Sequence, residues 1–182
     1  YYLFLFYPHV QEIKKKISII QEKEINLQMI EAYNSGMIAL EEGDGLEAAQ
    51  KFNEAELIFP QSEWASKSSL MSAYSYYFDS YYGDAINELE RFIDVYSKDK
   101  NIAYAHYLLG MCYYESIIDE KKDLRPLNKS KEKFEYVLKN YPNTDYAADA
   151  KFKLDMIQEI LASKEMYIAK HYIKKQKWIA AI

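Results

Sequence analysis

One pattern of small and large residues occurs three times in this 182-residue chain, and it restricts the fold to stacked pairs of helices. The first copy is Gly36, Ala48, Phe52, Ala55 and Pro60, at offsets of twelve, four, three and five. Ala73, Ala85, Leu89, Phe92 and Ser97 repeat those offsets. A third copy opens at Leu109-Gly110 and Tyr113 and closes with Ser130, Phe134, Val137 and Pro142, after a short insertion. Small residues at the first two positions let two helices cross closely. A large apolar residue at the third fills the groove between them, and proline ends the second helix. The pattern is that of tetratricopeptide repeats, so the expected fold is an all-α solenoid of antiparallel helical hairpins. Such scaffolds bind partners and seldom carry chemistry.

Turn residues divide the chain accordingly. The first helix is expected to end near Glu42, at Gly43-Asp44-Gly45, with its partner spanning Leu46 to Phe59. A second pair covers Ser62 to Phe78 and Tyr82 to Tyr96, with Gly83-Asp84 near its turn and Ser62 as the helix cap. The third covers Asn101 to Ile118 and Leu127 to Tyr141, separated by a charged insertion from Asp119 to Pro126. Asn143-Thr144 then caps a stretch free of glycine and proline, which reads as one long helix to about Lys175. Trp178 to Ile182 read as the opening of a fourth partner helix. Residues 29–182 are therefore the repeat domain, with three complete repeats and a truncated fourth. Residues 1–28 form an N-terminal tether or signal remnant: Tyr1 to Tyr7 are apolar but too few to span a bilayer, and Lys14 to Lys16 follow them. Val10, Ile13, Ile17 and Ile20 share one helical face, so this part is either an amphipathic helix or a tether that orders on contact.

Function classes can be narrowed by composition. The net charge of −5 argues against a nucleic-acid partner, since phosphate binding needs a positive surface. His9, His106 and His171 lie on separate elements without ligand-spaced neighbours and read as surface or interface residues; no metal and no cofactor is expected. No glycine-rich phosphate loop and no nucleophile beside a histidine is visible. The acidic residues Glu41, Glu42, Glu54 and Glu56 read as solvated helix surface. Cys112 stands alone in an apolar run and reads as a buried, inert thiol. An enzyme has no residues to stand on here.

Tyrosine is the unusual component, with nineteen copies. In stacked hairpins the first helix of each pair lines a concave groove. Setting the frame by Gly36, Ala73 and Gly110 selects Tyr33, Met37 and Leu40, then Leu70, Tyr74 and Tyr77, then Tyr104, Tyr107, Met111 and Tyr114. This tyrosine and methionine stripe is the candidate peptide-binding groove. An aromatic stripe at helical spacing is also what a core looks like. Tyrosine in place of leucine favours the groove, because buried hydroxyls need partners.

The junctions are more specific than the repeats. Phe59-Pro60-Gln61-Ser62-Glu63-Trp64-Ala65 and Tyr141-Pro142-Asn143-Thr144-Asp145-Tyr146-Ala147 share an aromatic-Pro-x-Ser/Thr-x-aromatic-Ala pattern of bacterial envelope repeat proteins. Together with Leu70 to Tyr77, Tyr82 to Ile86, Glu90 to Ile93, Cys112 to Ile117 and Leu161 to Met166, they make the chain from Ala32 onward resemble the BamD (ComL) family of the β-barrel assembly machinery, in its alphaproteobacterial form. The resemblance implies a non-catalytic outer-membrane lipoprotein facing the periplasm. It implies N-terminal repeats that recognise unfolded outer-membrane proteins and C-terminal repeats that dock on BamA and other assembly subunits. Two features depart from the family: no cysteine stands near the N-terminus to carry lipid, and the sequence stops inside its fourth repeat. Two other adaptors compete with this reading. Envelope repeat proteins of the cell-division and Tol-associated type share the junctions but keep short regular repeats. A cytoplasmic adaptor that clamps terminal carboxylates needs a basic groove, and the stripe offers mainly Lys67.

Overall fold

The computed structural model describes residues 2–116, 124–176 and Trp178, with side chains from Glu12 onward apart from Ile13. All regular structure among the described residues is helical. The order is α1 (Tyr2–Glu41), α2 (Gly45–Ile58), α3 (Glu63–Phe78), α4 (Tyr82–Val95), α5 (Ile102–Glu115), α6 (Arg125–Asn140) and α7 (Asp145–Lys174). The chain forms two compact units, Tyr1–Asp79 and Ser80–Ile182.

In the first unit α2 packs against both α1 and α3. Its core joins Met29, Ala32, Tyr33 and Ala39 of α1 to Ala48, Phe52 and Ala55 of α2, three positions of the repeat pattern. A methyl group added at Gly36 would lie 2.9 Å from Cε1 of Phe52, so only glycine lets the phenylalanine ring lie against the α1 backbone. Gly43, at φ +86°, supplies the left-handed residue of the turn. Asp44 then caps α2 by accepting from the Glu47 amide at 2.8 Å. The Leu46 amide donates to Asp79 at 3.1 Å, which ties the start of α2 to the end of α3.

Within the second unit, α5 packs against α4, α6 and α7, and α6 against α7. Gly110 repeats the role of Gly36: a methyl there would stand 2.8 Å from Cε1 of Phe134. Ser130, at the repeat position held by Ala48 in the first copy, is completely buried and donates its hydroxyl to the Gly110 carbonyl at 2.9 Å. A serine is tolerated at this crossing because its one polar group is satisfied across it. Thr144 caps α7 by accepting from the Ala147 amide at 3.2 Å, while donating to the Tyr141 carbonyl at 2.8 Å.

Several local readings are corrected. Ser62 occupies the cap position of α3 but makes no side-chain cap bond. Its hydroxyl is turned back onto the Phe59 carbonyl at 2.8 Å. Helix α4 starts at Tyr82 as expected, so Gly83 and Asp84 lie in its first turn, and the left-handed residue before it is Ser80, at φ +63°. Helix α6 begins at Arg125, with Pro126 in its first turn, where a missing amide hydrogen costs no helical bond. Residues 119–123 of the charged insertion lie outside the described residues, as do residues 117 and 118 before it and the expected fourth partner helix apart from an exposed Trp178. The 28/29 boundary falls inside α1, which passes through it unbroken. Burial begins there, at Met29, and the described side chains from Glu12 to Ile25 are all exposed.

Gly110→Ala tests the crossing. Alanine is favoured over glycine within a helix by about 1 kcal/mol. The buried Phe134 ring has no room to move aside, so the substitution is expected to be destabilising by about 1–2 kcal/mol net. Urea denaturation that shows equal or greater stability would remove this contact as a determinant of the fold.

Candidate peptide-binding site

The stripe positions are spaced so that each set falls on one face of its own helix. On that face the structure divides them. Tyr33, Leu70 and Met111 are only 6%, 7% and 9% exposed, so they act mainly as packing. Tyr33 illustrates why: its ring meets Phe52 and Trp64 edge to face, each at 5.1 Å, and the Lys67 ammonium lies 4.8 Å from its centroid. Met37 and Leu40 pack beside the same core and are half-buried. Tyr74 and Tyr77 are also half-buried on α3, and Tyr74 leans on Phe78 at 6.5 Å. In the first unit, the partly open surface of the stripe is therefore carried by α3 and the end of α1.

In the second unit the stripe on α5 faces α7. Tyr107 donates to the Asp149 carboxylate at 2.6 Å, and its ring contacts Phe134 and Tyr146. Tyr104 packs on Tyr146 at 5.3 Å, and the Lys153 ammonium sits 5.2 Å from the Tyr114 ring. The hydroxyls that made a tyrosine core look costly thus find partners in at least one case, at Tyr107. Tyr104, Tyr107 and Tyr114 remain half-buried, with one ring face engaged by α7. Tyr146, Asp149 and Lys153 were not foreseen as neighbours of the stripe. The repeat pattern foresees them in principle, because α7 is the first helix of the next repeat.

Other readings change with burial. Cys112 is fully buried, and desolvation pushes its thiol up to about 12, which fits an inert residue. Tyr113 is also pushed up to about 12, by burial first and then by its 3.1 Å hydrogen bond to Glu90. Glu56, read as solvated, is only 7% exposed, because α2 is covered from two sides and buries a wider arc than one apolar stripe. His106, read as a surface or interface residue, is 9% exposed. Burial, reinforced by the nearby Lys133, holds its imidazole below the ordinary histidine value of 6.5. His171 is exposed, and the side chain of His9 lies outside the described residues. Among the described residues no group of three metal-ligating side chains converges, and no helix is long and apolar enough to cross a membrane.

Residues 25–182 match the family described as YfiO, outer membrane lipoprotein. The chain belongs to this family. It is 37% identical over 169 residues to the outer membrane protein assembly factor BamD of Caulobacter vibrioides, covering 93% of this chain and 54% of the relative. It is also 37% identical over 150 residues to BamD of Rickettsia prowazekii, covering 82% and 60%. BamD of Xylella fastidiosa is 26% identical over 159 residues, covering 82% and 54%. The chain thus spans little more than half the length of these curated relatives. The first two come from alphaproteobacteria, and YfiO proteins are helical repeat proteins of tetratricopeptide type, as the repeat pattern and the junctions imply.

Two tests separate packing from surface. Tyr33→Ala is expected to cost about 3 kcal/mol or more, as for a buried aromatic, whereas Tyr74→Ala is expected to cost under half of that. Equal losses in urea midpoint would place both rings in the same environment. The second concerns pH. The folded-state value of His106 is depressed, so its contribution is retained above about 6.5 and lost as pH falls and the unfolded chain takes up the proton. Between pH 7.5 and 5.5, on either side of the ordinary value, wild type should lose more stability than His106→Gln. An identical loss in both would show that this imidazole is not held neutral.

Proposed function

We propose that this chain is a non-catalytic part of the machinery that assembles outer-membrane proteins, and that it receives unfolded precursors on its tyrosine-bearing helix faces. The observation that carries the reading is the family match over residues 25–182, with relatives named as outer membrane protein assembly factors. The half-buried rings of Tyr74 and Tyr77 on α3, and of Tyr104, Tyr107 and Tyr114 on α5, support it. A partly packed tyrosine is held in one orientation by its neighbours and still presents a ring edge. It therefore engages an apolar segment at a lower entropy cost than a mobile side chain would. The positions selected from the repeat frame, from Tyr33 and Met37 through Leu70 to Met111, divide the work: the buried ones hold the helices, and the half-buried ones meet the client.

In this reading the protein acts at the periplasmic face of the outer membrane, docks on BamA through the C-terminal repeats of the whole protein and is held there by lipid. No nucleic acid, metal or cofactor takes part. Carboxylates such as Glu41, Glu42 and Glu54 lie exposed on helix surfaces, as a solvated scaffold requires.

Fluorescence anisotropy with a labelled peptide from the C-terminal strand of an outer-membrane barrel tests the client. The intact peptide is expected to bind about tenfold tighter than a copy lacking its terminal aromatic residue. Tyr74→Ala with Tyr77→Ala should weaken binding about fivefold or more, while circular dichroism stays unchanged. Equal binding of both peptides, or of wild type and the double variant, would overturn the assignment of client recognition to these faces.

A further inference from the structure

The N-terminal half of α1 stands clear of the first unit: every described side chain from Glu12 to Ile25 is exposed, and burial starts at Met29. This stretch is not a polar surface helix. Ile17, Ile20 and Leu27 are 49%, 64% and 62% exposed, and Val10 and Ile13 precede them at the same alternation of three and four residues. Leu3 and Phe6 stand at the two positions before those. Seven of the eight positions from Leu3 to Leu27 are therefore apolar, with Glu24 as the exception. Alternation of three and four is the heptad seam of a coiled coil, with Val10, Ile17 and Glu24 at its first core position and Ile13, Ile20 and Leu27 at its second.

The seam looks away from the protein's own core. At about 100° per residue, Ile20 lies about 180° and Leu27 about 160° round the helix from Met29, which belongs to the core shared with α2. A lone helix of this length is marginal in water, and isoleucine favours it only weakly, so the open face calls for a partner. Charged residues along the seam select which one. A lipid surface would have to take the Glu24 carboxylate in the middle of the apolar face, which is costly without a partner charge. In a parallel pair of these helices, Glu24 of each copy instead packs beside Lys23 of the other, which precedes it in the facing hole. An antiparallel pair would set Lys16 against Lys23 on one edge twice over, whereas the parallel pair sets Lys16 against Gln21 and Lys23 against Gln28. Isoleucine at both core positions also suits three strands, but three Glu24 carboxylates would then meet at the axis.

We infer that residues 10–27 of α1 form a parallel two-stranded coiled coil with the same segment of a second copy of this chain. Ile13, Ile17, Ile20 and Leu27 supply the apolar layers, and the Glu24–Lys23 contacts fix register and direction. Both repeat domains then leave the coil from the same end, so an extended client meets two sets of tyrosine faces. That consequence rests on the client reading. The pairing itself does not, because its seam shares no residue with the faces of α3 and α5.

Sedimentation equilibrium of the 182-residue chain, from about 5 to about 500 µM, tests the pairing. The seam is short, so a monomer–dimer equilibrium with a dissociation constant on the order of 10 µM is expected. Ile17→Lys with Ile20→Lys, both exposed in the single chain, should leave it monomeric throughout with unchanged thermal unfolding. Glu24→Lys should weaken pairing about fivefold or more, and adding Lys23→Glu should restore it by exchanging the two charges. A dimer formed through the tyrosine faces would respond to none of these. The inference is overturned if wild type stays monomeric up to about 500 µM, if the double isoleucine variant dimerises as wild type does, or if the charge exchange restores nothing. Monomeric wild type that floats with phosphatidylglycerol vesicles would give the seam to lipid and overturn it equally.

Discussion

A phenylalanine ring laid flat against a glycine in the facing helix sets the geometry of each of the two units. Phe52 approaches Gly36 and Phe134 approaches Gly110, and in both places even one methyl group would be too close. Because the ring and the backbone meet without an intervening side chain, the two helices of the hairpin cross at short range, and alanine or serine is the largest residue that fits beside them. The buried hydroxyl of Ser130 shows how tight this constraint is: it is accommodated only by spending its hydrogen bond on the Gly110 carbonyl. Everything outside the crossing, including which faces stay open, follows from where these pairs of helices are pinned.

Tyrosine serves both sides of that arrangement. At Tyr33 the ring is spent on packing, between Phe52, Trp64 and the ammonium of Lys67. At Tyr107 the hydroxyl is paired with Asp149 while the ring stays half-buried. One residue type thus provides apolar area for packing and a polar tip that can be paired on the neighbouring helix, which is why a chain this rich in tyrosine still forms ordinary cores. It also means that an aromatic stripe in a helical repeat is neither wholly core nor wholly groove; the division is made residue by residue, by how closely the next helix approaches.

The same approach determines the electrostatics. His106 is next in sequence to the half-buried Tyr107, yet the approach of α6 takes it out of water and holds its imidazole below the ordinary histidine value. Cys112, on the same helix, is pushed the other way in pKa by the same cause, because burial disfavours whichever form is charged. Glu56 is enclosed for a geometric reason, since α2 has neighbours on two sides. None of these three environments is a property of the residue's own helix.

The repeated offsets from Gly36 to Pro60, the glycine-containing turn at Gly43 and the aromatic-Pro junctions determined by themselves that the chain is all helix, that its helices form repeated hairpins and which family it joins. Those features are legible because they are local: a turn needs a left-handed residue, a helix ends where proline removes an amide, and spacing along one helix fixes its face. Only the tertiary structure decided that Ser62 turns away from its cap, that Tyr33, Leu70 and Met111 are packed while Tyr74, Tyr77 and Tyr104 keep an open edge, and that His106 meets Tyr136 and Tyr141. Those outcomes depend on how far a second helix, distant in sequence, reaches over a given side chain. Periodicity within one helix reports the direction in which a side chain points, but it carries no information on what stands opposite.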